Sequence, residues 1–427
     1  MSSVGVASSS GSVRLVSACS TIFAVLLIYY TLARFAGVDY EDATQILPPQ
    51  IQYVIFTIPI VGVGAVFAVL GFVNGTVRAS EWLLFIYLTA MAIVSVLRSD
   101  FAIIPSTISF VVPLMGIWAL GLAPSPSLLN GLIYFSLPLG ALSFLVGQNL
   151  WGIIPGFAND EIPWRVSIFP GVADTAYFCV AIIIANVWFS NGVLRRATTG
   201  LAAFFLLFTV IRSAAIGMMM ALIYLWLAGK QGFRTSFRRW LLIAAMLIGF
   251  IVLILLPAFL SLLLPAGINI PFVNQFLFHS EQGVQGAKGL SETVYRGWLW
   301  AQHISIFVQH PLFGIGSYDL NNLVDDRILG NQHDYAGTES LLTGLLSRVG
   351  LLALLLFAAI IAKLHQAVKL GEHAAAASGI AMIVMLISHG GLANTYNIEF
   401  LLLASGLSWR TSLMSRLTDK RVSESPG

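Results

Sequence analysis

The chain has 427 residues, of which 58% are hydrophobic and only 10% charged; 22 Lys and Arg stand against 19 Asp and Glu, for a net charge of +3. A water-soluble globule carries about 25% charged residues, and a mean hydropathy of +0.87 excludes one here. The balance instead predicts an all-α, polytopic integral membrane protein forming a single membrane domain over 1–427. Strict alternation at period two, the mark of a membrane barrel, is absent from the sequence. So are a P-loop, zinc-ligand spacings and a dinucleotide glycine motif. The small positive charge argues for no nucleic-acid partner.

Apolar runs of bilayer length predict twelve spans, at 15–36, 51–73, 82–97, 101–123, 131–151, 175–189, 199–211, 213–228, 240–263, 340–362, 375–391 and 398–413. Val16-Ser17-Ala18-Cys19 is similar to a lipoprotein cleavage box, but its apolar run follows the cysteine, whereas the apolar core of a signal precedes its cleavage site. The first helix is therefore expected to be retained. Cys19 falls near the inner end of span one and Cys179 near the outer end of span six, which argues against a disulfide and against a metal site.

Arg212 interrupts an apolar stretch from Leu201 to Ala228 that is too long for one span. It predicts two helices meeting at an Arg212-Ser213 turn. An ionisable group at membrane depth marks a functional site by default, and its plain alternative is an arginine snorkelling to headgroups.

Basic residues mark cytoplasmic loops. With the N-terminus inside, Arg14, Arg78, Arg195, Arg196, Lys230, Arg234, Arg238, Arg239, Lys363, Lys369, Arg410, Arg416, Lys420 and Arg421, fourteen of the 22, lie inside. Both termini are then cytoplasmic. The opposite face receives the loop Gly152 to Asp174, the Arg212 turn, and a long periplasmic loop at 265–338 between spans nine and ten. That loop holds four of the seven histidines, six carboxylates and three basic residues, and long loops without a span are usually functional. Within it, Thr293 to Gln309 reads as an amphipathic helix lying on the outer leaflet, with Trp298, Trp300, Ile304, Phe307 and Val308 as its apolar surface. Gly314 and Gly316 allow a tight turn after His310-Pro311.

Tyr295-Arg296-Gly297-Trp298, then His310-Pro311-Leu312-Phe313-Gly314-Ile315-Gly316, then Glu339-Ser340-Leu341-Leu342 and Gly350-Leu351-Leu352, resemble the O-antigen ligase and Wzy-type polysaccharide polymerase superfamily. Arg212-Ser213 resembles its arginine turn, and Arg165-Val166-Ser167 with Phe169-Pro170 its earlier outer-loop motif. The resemblance covers about 160 to 360. It implies a GT-C-like glycosyltransferase of the bacterial inner membrane that acts at the periplasmic face. The resemblance further implies that donor and acceptor are lipid-linked oligosaccharides carried on undecaprenyl diphosphate, with a chain-length regulator as a candidate partner. Transfer is then expected to be direct and inverting, with no cofactor, no nucleotide sugar and no protein-bound metal. The ligases of the superfamily place His-Asn where this chain has Glu339-Ser340, while several polymerases have an acidic residue there. That favours polymerisation of repeat units over ligation to lipid A core.

A diphosphate leaving group calls for cations in fixed positions, and the arginine fork supplies bidentate contacts. Arg212 and Arg296 are the first candidates and Arg165 the third. Glu339 is the candidate general base, with His333 its alternative, and Arg296 completes the catalytic set. His310, Tyr318 and Trp300 are candidate substrate contacts.

Each also has a plainer reading. On it Glu339 is a first-turn cap and His310 only ends a helix, while His303 and His279 are expected to be surface histidines. Arg348 is expected to pair with another helix or reach a water-filled cavity. The tryptophans are expected to anchor the interface. His389, Asn394 and Glu399 are placed near the same outer ends. A transporter is the competing class, but no repeat of 1–210 is evident in 211–427.

Overall fold

Backbone N–H and C=O groups in hydrocarbon must be satisfied within the protein, and every described element of this chain is a helix. The structure, a computed structural model, describes residues 9–35, 53–146, 168–169, 172–189, 192–209, 211–228, 230, 235–263, 292–316, 340–388 and 398–409. In chain order the helices are α1 (Ser9–Phe35), α2 (Ile58–Val73), α3 (Ala79–Arg98), α4 (Ile103–Leu120), α5 (Pro126–Val146), α6 (Val172–Phe189) and α7 (Val193–Thr209). They continue as α8 (Arg212–Ala228), α9 (Ser236–Leu263), α10 (Glu292–Gln309), α11 (Leu341–Val349), α12 (Ala353–Leu370), α13 (His373–Ser388) and α14 (Ile398–Gly406). Helices fall on all twelve apolar stretches. Five segments, Leu15–Leu32, Ala79–Arg98, Ile103–Leu120, Ser236–Leu256 and Leu341–Leu370, are long and apolar enough to cross a membrane. Four shorter apolar helices accompany them, which makes this a multi-pass membrane protein.

One stretch differs from expectation. The run predicted as a single span over 340–362 is two helices, α11 and α12, separated by a 3-10 turn at Gly350–Leu352, where Gly350 takes φ +64°. The turn after α10 is docked into this break, as described below.

Packing follows the small residues. A Cβ on Gly64 of α2 would come within 2.7 Å of the Pro113 Cα on α4, and one on Gly116 would meet the Gly64 carbonyl, so the two helices cross in close backbone contact. α13 is apolar all round and buried from Ala374 to Ser388, which is the mark of a core helix. It packs on α8, where Gly217 admits Val384 at 3.3 Å. α6, buried from Ala176 to Ala185, lies beside it.

Hydrogen bonds between helix ends sort those ends into two layers. In one, Thr198 of α7 joins Asn130 of α5 and Asn186 of α6, each at 3.0 Å. There too the Trp409 indole donates to the Pro124 carbonyl at 2.9 Å, and Arg239 at the start of α9 donates to the Val368 carbonyl at the end of α12. In the other layer Arg98 at the end of α3 meets the turn after α10, and Tyr177 near the start of α6 meets Ser213 of α8 and Ser388 of α13. Arg78, Arg195, Arg196, Lys230, Arg238, Arg239 and Lys369 belong to the first layer. Among the residues whose side chains are described, Arg98, Arg212 and Arg348 belong to the second.

Near the basic layer Lys363 Nζ lies 3.0 Å from Glu81 Oε1, with side-chain exposures of 8% and 0%. The ammonium also donates to the Trp118 carbonyl at 3.1 Å. The carboxylate accepts from the Ser80 hydroxyl at 2.9 Å and the Arg78 amide at 2.7 Å. Every strong valence of the pair is met, and it ties α3, α4 and α12 together. Removing one partner from such a pair strands a charge and costs about 3–5 kcal/mol, while replacing both is far milder. Lys363→Met should therefore lower the thermal midpoint in detergent markedly, and Glu81→Gln with Lys363→Met should recover most of the loss. A single variant as stable as the parent would show that the pair holds nothing.

Candidate active site

α7 ends at Thr209, whose hydroxyl turns back to the Leu206 carbonyl at 2.7 Å, and α8 begins at Arg212 after a two-residue turn. The Ala215 amide bonds the Ile211 carbonyl at 3.2 Å, so the amides of Arg212, Ser213 and Ala214 have no acceptor within the helix. They give the start of α8 a positive end. Arg212 is exposed there, and no described residue bonds its guanidinium.

The next residue is held firmly. Tyr177, fully buried, donates to Ser213 Oγ at 3.0 Å and lies 3.1 Å from Ser388 Oγ. Ser388 itself turns back to the Val384 carbonyl at 2.7 Å. Three hydroxyls from α6, α8 and α13 thus meet beside Arg212. Two residues before Tyr177, Thr175 Oγ1 accepts the amides of Ile168 and Phe169, each at 3.0 Å. This anchors Ile168 and Phe169 to the first turns of α6, and Arg165, three residues earlier, lies outside the described residues.

The second half of the site is built on α10, α11 and the turn between α10 and the long loop. Leu299, Trp300, His303 and Ile306 are buried, and their spacing of three and four residues forms one stripe, turned to α9 and α11. Ile304 and Val308 face outward. His303 is not a surface histidine: at 0% exposure its Nδ1 lies 3.0 Å from Ser347 Oγ of α11. Ser347 also donates to the Gly344 carbonyl at 3.0 Å. With its proton so used, the hydroxyl accepts from an Nδ1–H of His303. Trp300, at 4% exposure, is likewise a packing residue in this arrangement and not an interface anchor, because its place beside His303 turns it inward.

The Pro-x-x-Gly-x-Gly turn docks on the break between α11 and α12. The Ile315 and Gly316 amides donate to the Ser347 and Arg348 carbonyls at 2.9 and 2.8 Å, and the Leu351 amide returns a bond to the Pro311 carbonyl at 2.8 Å. The backbone groups released by breaking a membrane helix are thereby satisfied. The fit leaves no room for side chains. A Cβ on Gly350 would lie 2.5 Å from the Pro311 oxygen, and one on Gly314 would overlap the Arg348 carbonyl. Gly314 and Gly316 take φ +64° and +85°, which favours glycine. The His310-to-Gly316 and Gly350-Leu351-Leu352 motifs are therefore two halves of one joint.

Of the residues singled out in the sequence, Arg212, Trp300 and His310 are described in full. His310 ends α10, exposes its ring, and uses its carbonyl to accept the Gly314 amide at 2.9 Å. Arg296 lies in α10, but its side chain falls outside the described residues, as do Arg165, Tyr318, His333 and Glu339. Next to Glu339 the structure is informative. Ser340 is the N-cap of α11, its Oγ accepting the Thr343 amide at 3.4 Å. Glu339 thus precedes the cap and is not in the first turn of the helix. Arg348 exposes its side chain and contributes its carbonyl to the joint. Glu399 is buried in the first turn of α14, and His389 and Asn394 lie outside the described residues.

Sequence reasoning did not single out Tyr177, Ser388, Ser347 or Arg98. A polar Asp174-Thr175 and Tyr177 opening an apolar helix is the one signal that marks the first of these.

Residues 197–358 match the family model described as O-antigen ligase. The match takes in Arg212, Arg296, both halves of the joint, His333 and Glu339, and it bears out the resemblance over that part of the chain. No curated protein matches the chain.

The joint makes a stability prediction. Gly314→Ala places a side chain in the left-handed region against a carbonyl, at a cost of about 1–3 kcal/mol. Gly62→Ala, with nothing within 4 Å of its Cβ, should be neutral or mildly stabilising. Thermal unfolding of the two variants in detergent, side by side, checks both.

Proposed function

We propose that this chain polymerises polysaccharide repeat units carried on undecaprenyl diphosphate, at the periplasmic face of the bacterial inner membrane. The observation that carries the reading is the O-antigen ligase match over 197–358, because it contains Arg212, Arg296, the joint and both candidate bases in one segment. In the reaction an acceptor sugar hydroxyl attacks the anomeric carbon of the donor. The C–O bond to the diphosphate breaks as the new glycosidic bond forms, and the configuration inverts. Undecaprenyl diphosphate leaves with the electron pair.

Arg212 and Arg296, with Arg165 as third candidate, would take the negative charge that grows on the leaving group. The exposed position of Arg212 at the positive start of α8, with Ser213 fixed by Tyr177, suits an anion. Glu339 would accept the hydroxyl proton, with His333 the alternative base. Its place ahead of the Ser340 cap leaves capping to the serine. His310 and Tyr318 remain candidate substrate contacts, and Trp300, buried at 4% exposure, serves packing instead.

Ligation of the finished glycan to lipid A core is the second reading, favoured by the description of the matching family itself. A deletion strain separates the two. Single lipid-linked repeats accumulate when a polymerase is lost, and full-length lipid-linked chains when a ligase is lost.

The basic layer should face the cytoplasm, so the segment 265–338 should be periplasmic. Because Cys19 and Cys179 are both buried, an Asp325→Cys variant should give a clean label with a membrane-impermeant thiol reagent in cells whose inner membrane is intact. Labelling only after that membrane is broken reverses the orientation.

Arg212→Ala and Arg296→Ala should each lose a charge-assisted contact of about 1.5–3 kcal/mol, a fall in kcat/KM on the order of 10- to 100-fold, with lysine only partly restoring it. Glu339→Gln should lower polymer formation by about 10²- to 10⁴-fold while donor binding survives. Lipid-linked repeats extended in proteoliposomes provide the assay. Normal extension by Glu339→Gln together with a dead His333→Ala moves the base to His333.

A further inference from the structure

Arg98 ends α3 about a hundred residues before the family match begins, yet its guanidinium reaches into the matched segment. Nη1 donates to the Phe313 carbonyl at 3.1 Å and Nη2 to the Gly314 carbonyl at 2.9 Å. The cation also lies 5.9 Å from the centroid of the Phe313 ring, within cation–π range. Beyond it Ser99 takes φ 55°, which turns the chain so that Asp100 comes under the turn. A Cβ on Gly316 would lie 2.5 Å from Asp100 Oδ2. The end of α3 is a fitted seat for residues 313–316.

An arginine in the last turn of a helix ordinarily complements the carbonyl end of its own helix. Here it spends two N–H groups on carbonyls 215 and 216 positions away. Those carbonyls belong to the turn whose next two amides hold Ser347 and Arg348. The load therefore runs from α3 through Arg98 to the turn, and from the turn to α11. Arg296 lies on the helix that leads into this turn, and Glu339 stands just before the helix that the turn holds.

We propose that Arg98 is a positioning residue for the glycosyl transfer. It fixes the turn to the membrane bundle and so sets α10, which carries Arg296, against α11, which Glu339 precedes. The proposal rests on the reading given under Proposed function. Arg98 spends these two donors on protein carbonyls, and the donor contacts of the proposed reaction are assigned to Arg212 and Arg296. Loss of the clamp should therefore misplace the reacting groups without removing a donor contact.

The test couples two measurements. In proteoliposomes supplied with labelled lipid-linked repeats, Arg98→Ala should lower kcat by tenfold or more with donor KM within about threefold. Arg98→Lys, which keeps the charge and can hold one carbonyl, should recover part of the loss and guards against a folding failure. Independently, Val349→Cys, buried beside the joint at 3% exposure, should label at least fivefold faster with a maleimide when Arg98 is alanine. Unchanged labelling overturns the clamp. Faster labelling with an unchanged kcat overturns the positioning role, and a rise in KM matching the loss in kcat/KM makes Arg98 a donor ligand instead. An unsubstituted chain that forms neither polymer nor ligated product sinks the functional reading alone, and the labelling comparison still decides whether Arg98 holds the turn.

Discussion

Breaking a helix inside or against a membrane exposes backbone groups that lipid cannot solvate, and each one left bare costs several kilocalories. This chain breaks the run 341–370 at Gly350 and closes the wound with a second segment. Two amides of the Pro-x-x-Gly-x-Gly turn take the carbonyls of Ser347 and Arg348, and Leu351 takes that of Pro311. Because three glycines are compressed at the contact, the joint has little freedom to slide. The positions of α10 and α11, and of whatever they carry, follow from it.

Two other places in the bundle bring buried polar side chains together. Tyr177, Ser213 and Ser388 satisfy one another at the junction of α6, α8 and α13, and His303 is matched by Ser347. A structural account of these contacts is complete without chemistry. What distinguishes Arg212 among the described arginines of its layer is its combination of exposure, three amides at the start of α8 that have no acceptor within the helix, and a neighbour locked in place. Arg98, by contrast, spends its donors inside the protein.

Much of the helical layout was legible from apolar run length alone, because the bilayer imposes it. The Arg212 turn falls between Thr209 and Arg212 where the charge demanded it, and α10 begins at Glu292 against an expected Thr293. The break at Gly350 was not legible, since Leu341–Leu370 is continuously apolar, with a mean hydropathy of 2.5, and a lone glycine is tolerated in such a helix. His303 was misplaced because its burial depends on a hydroxyl 44 positions away, even though the Leu299, His303 and Ile306 spacing carries the pattern. Arg98 has the same difficulty in stronger form. Nothing local marks it, and its partners come from a distant turn. Glu339 and His333 are legible only as residue types at a motif, because the choice of base depends on long-range contacts that local sequence does not encode.

The Glu81–Lys363 pair also bears on how the protein is made. The two residues are 282 positions apart. At about 5–20 residues per second, α3 enters the membrane on the order of tens of seconds before α12 exists. During that interval Glu81 has its own helix start, the Arg78 amide and the Ser80 hydroxyl, but no counter-ion. Until then a carboxylate in the first turn of α3 needs headgroup water or a proton in place of the ammonium. A chain cut short before α12 therefore carries Glu81 without the partner that it has in the finished bundle.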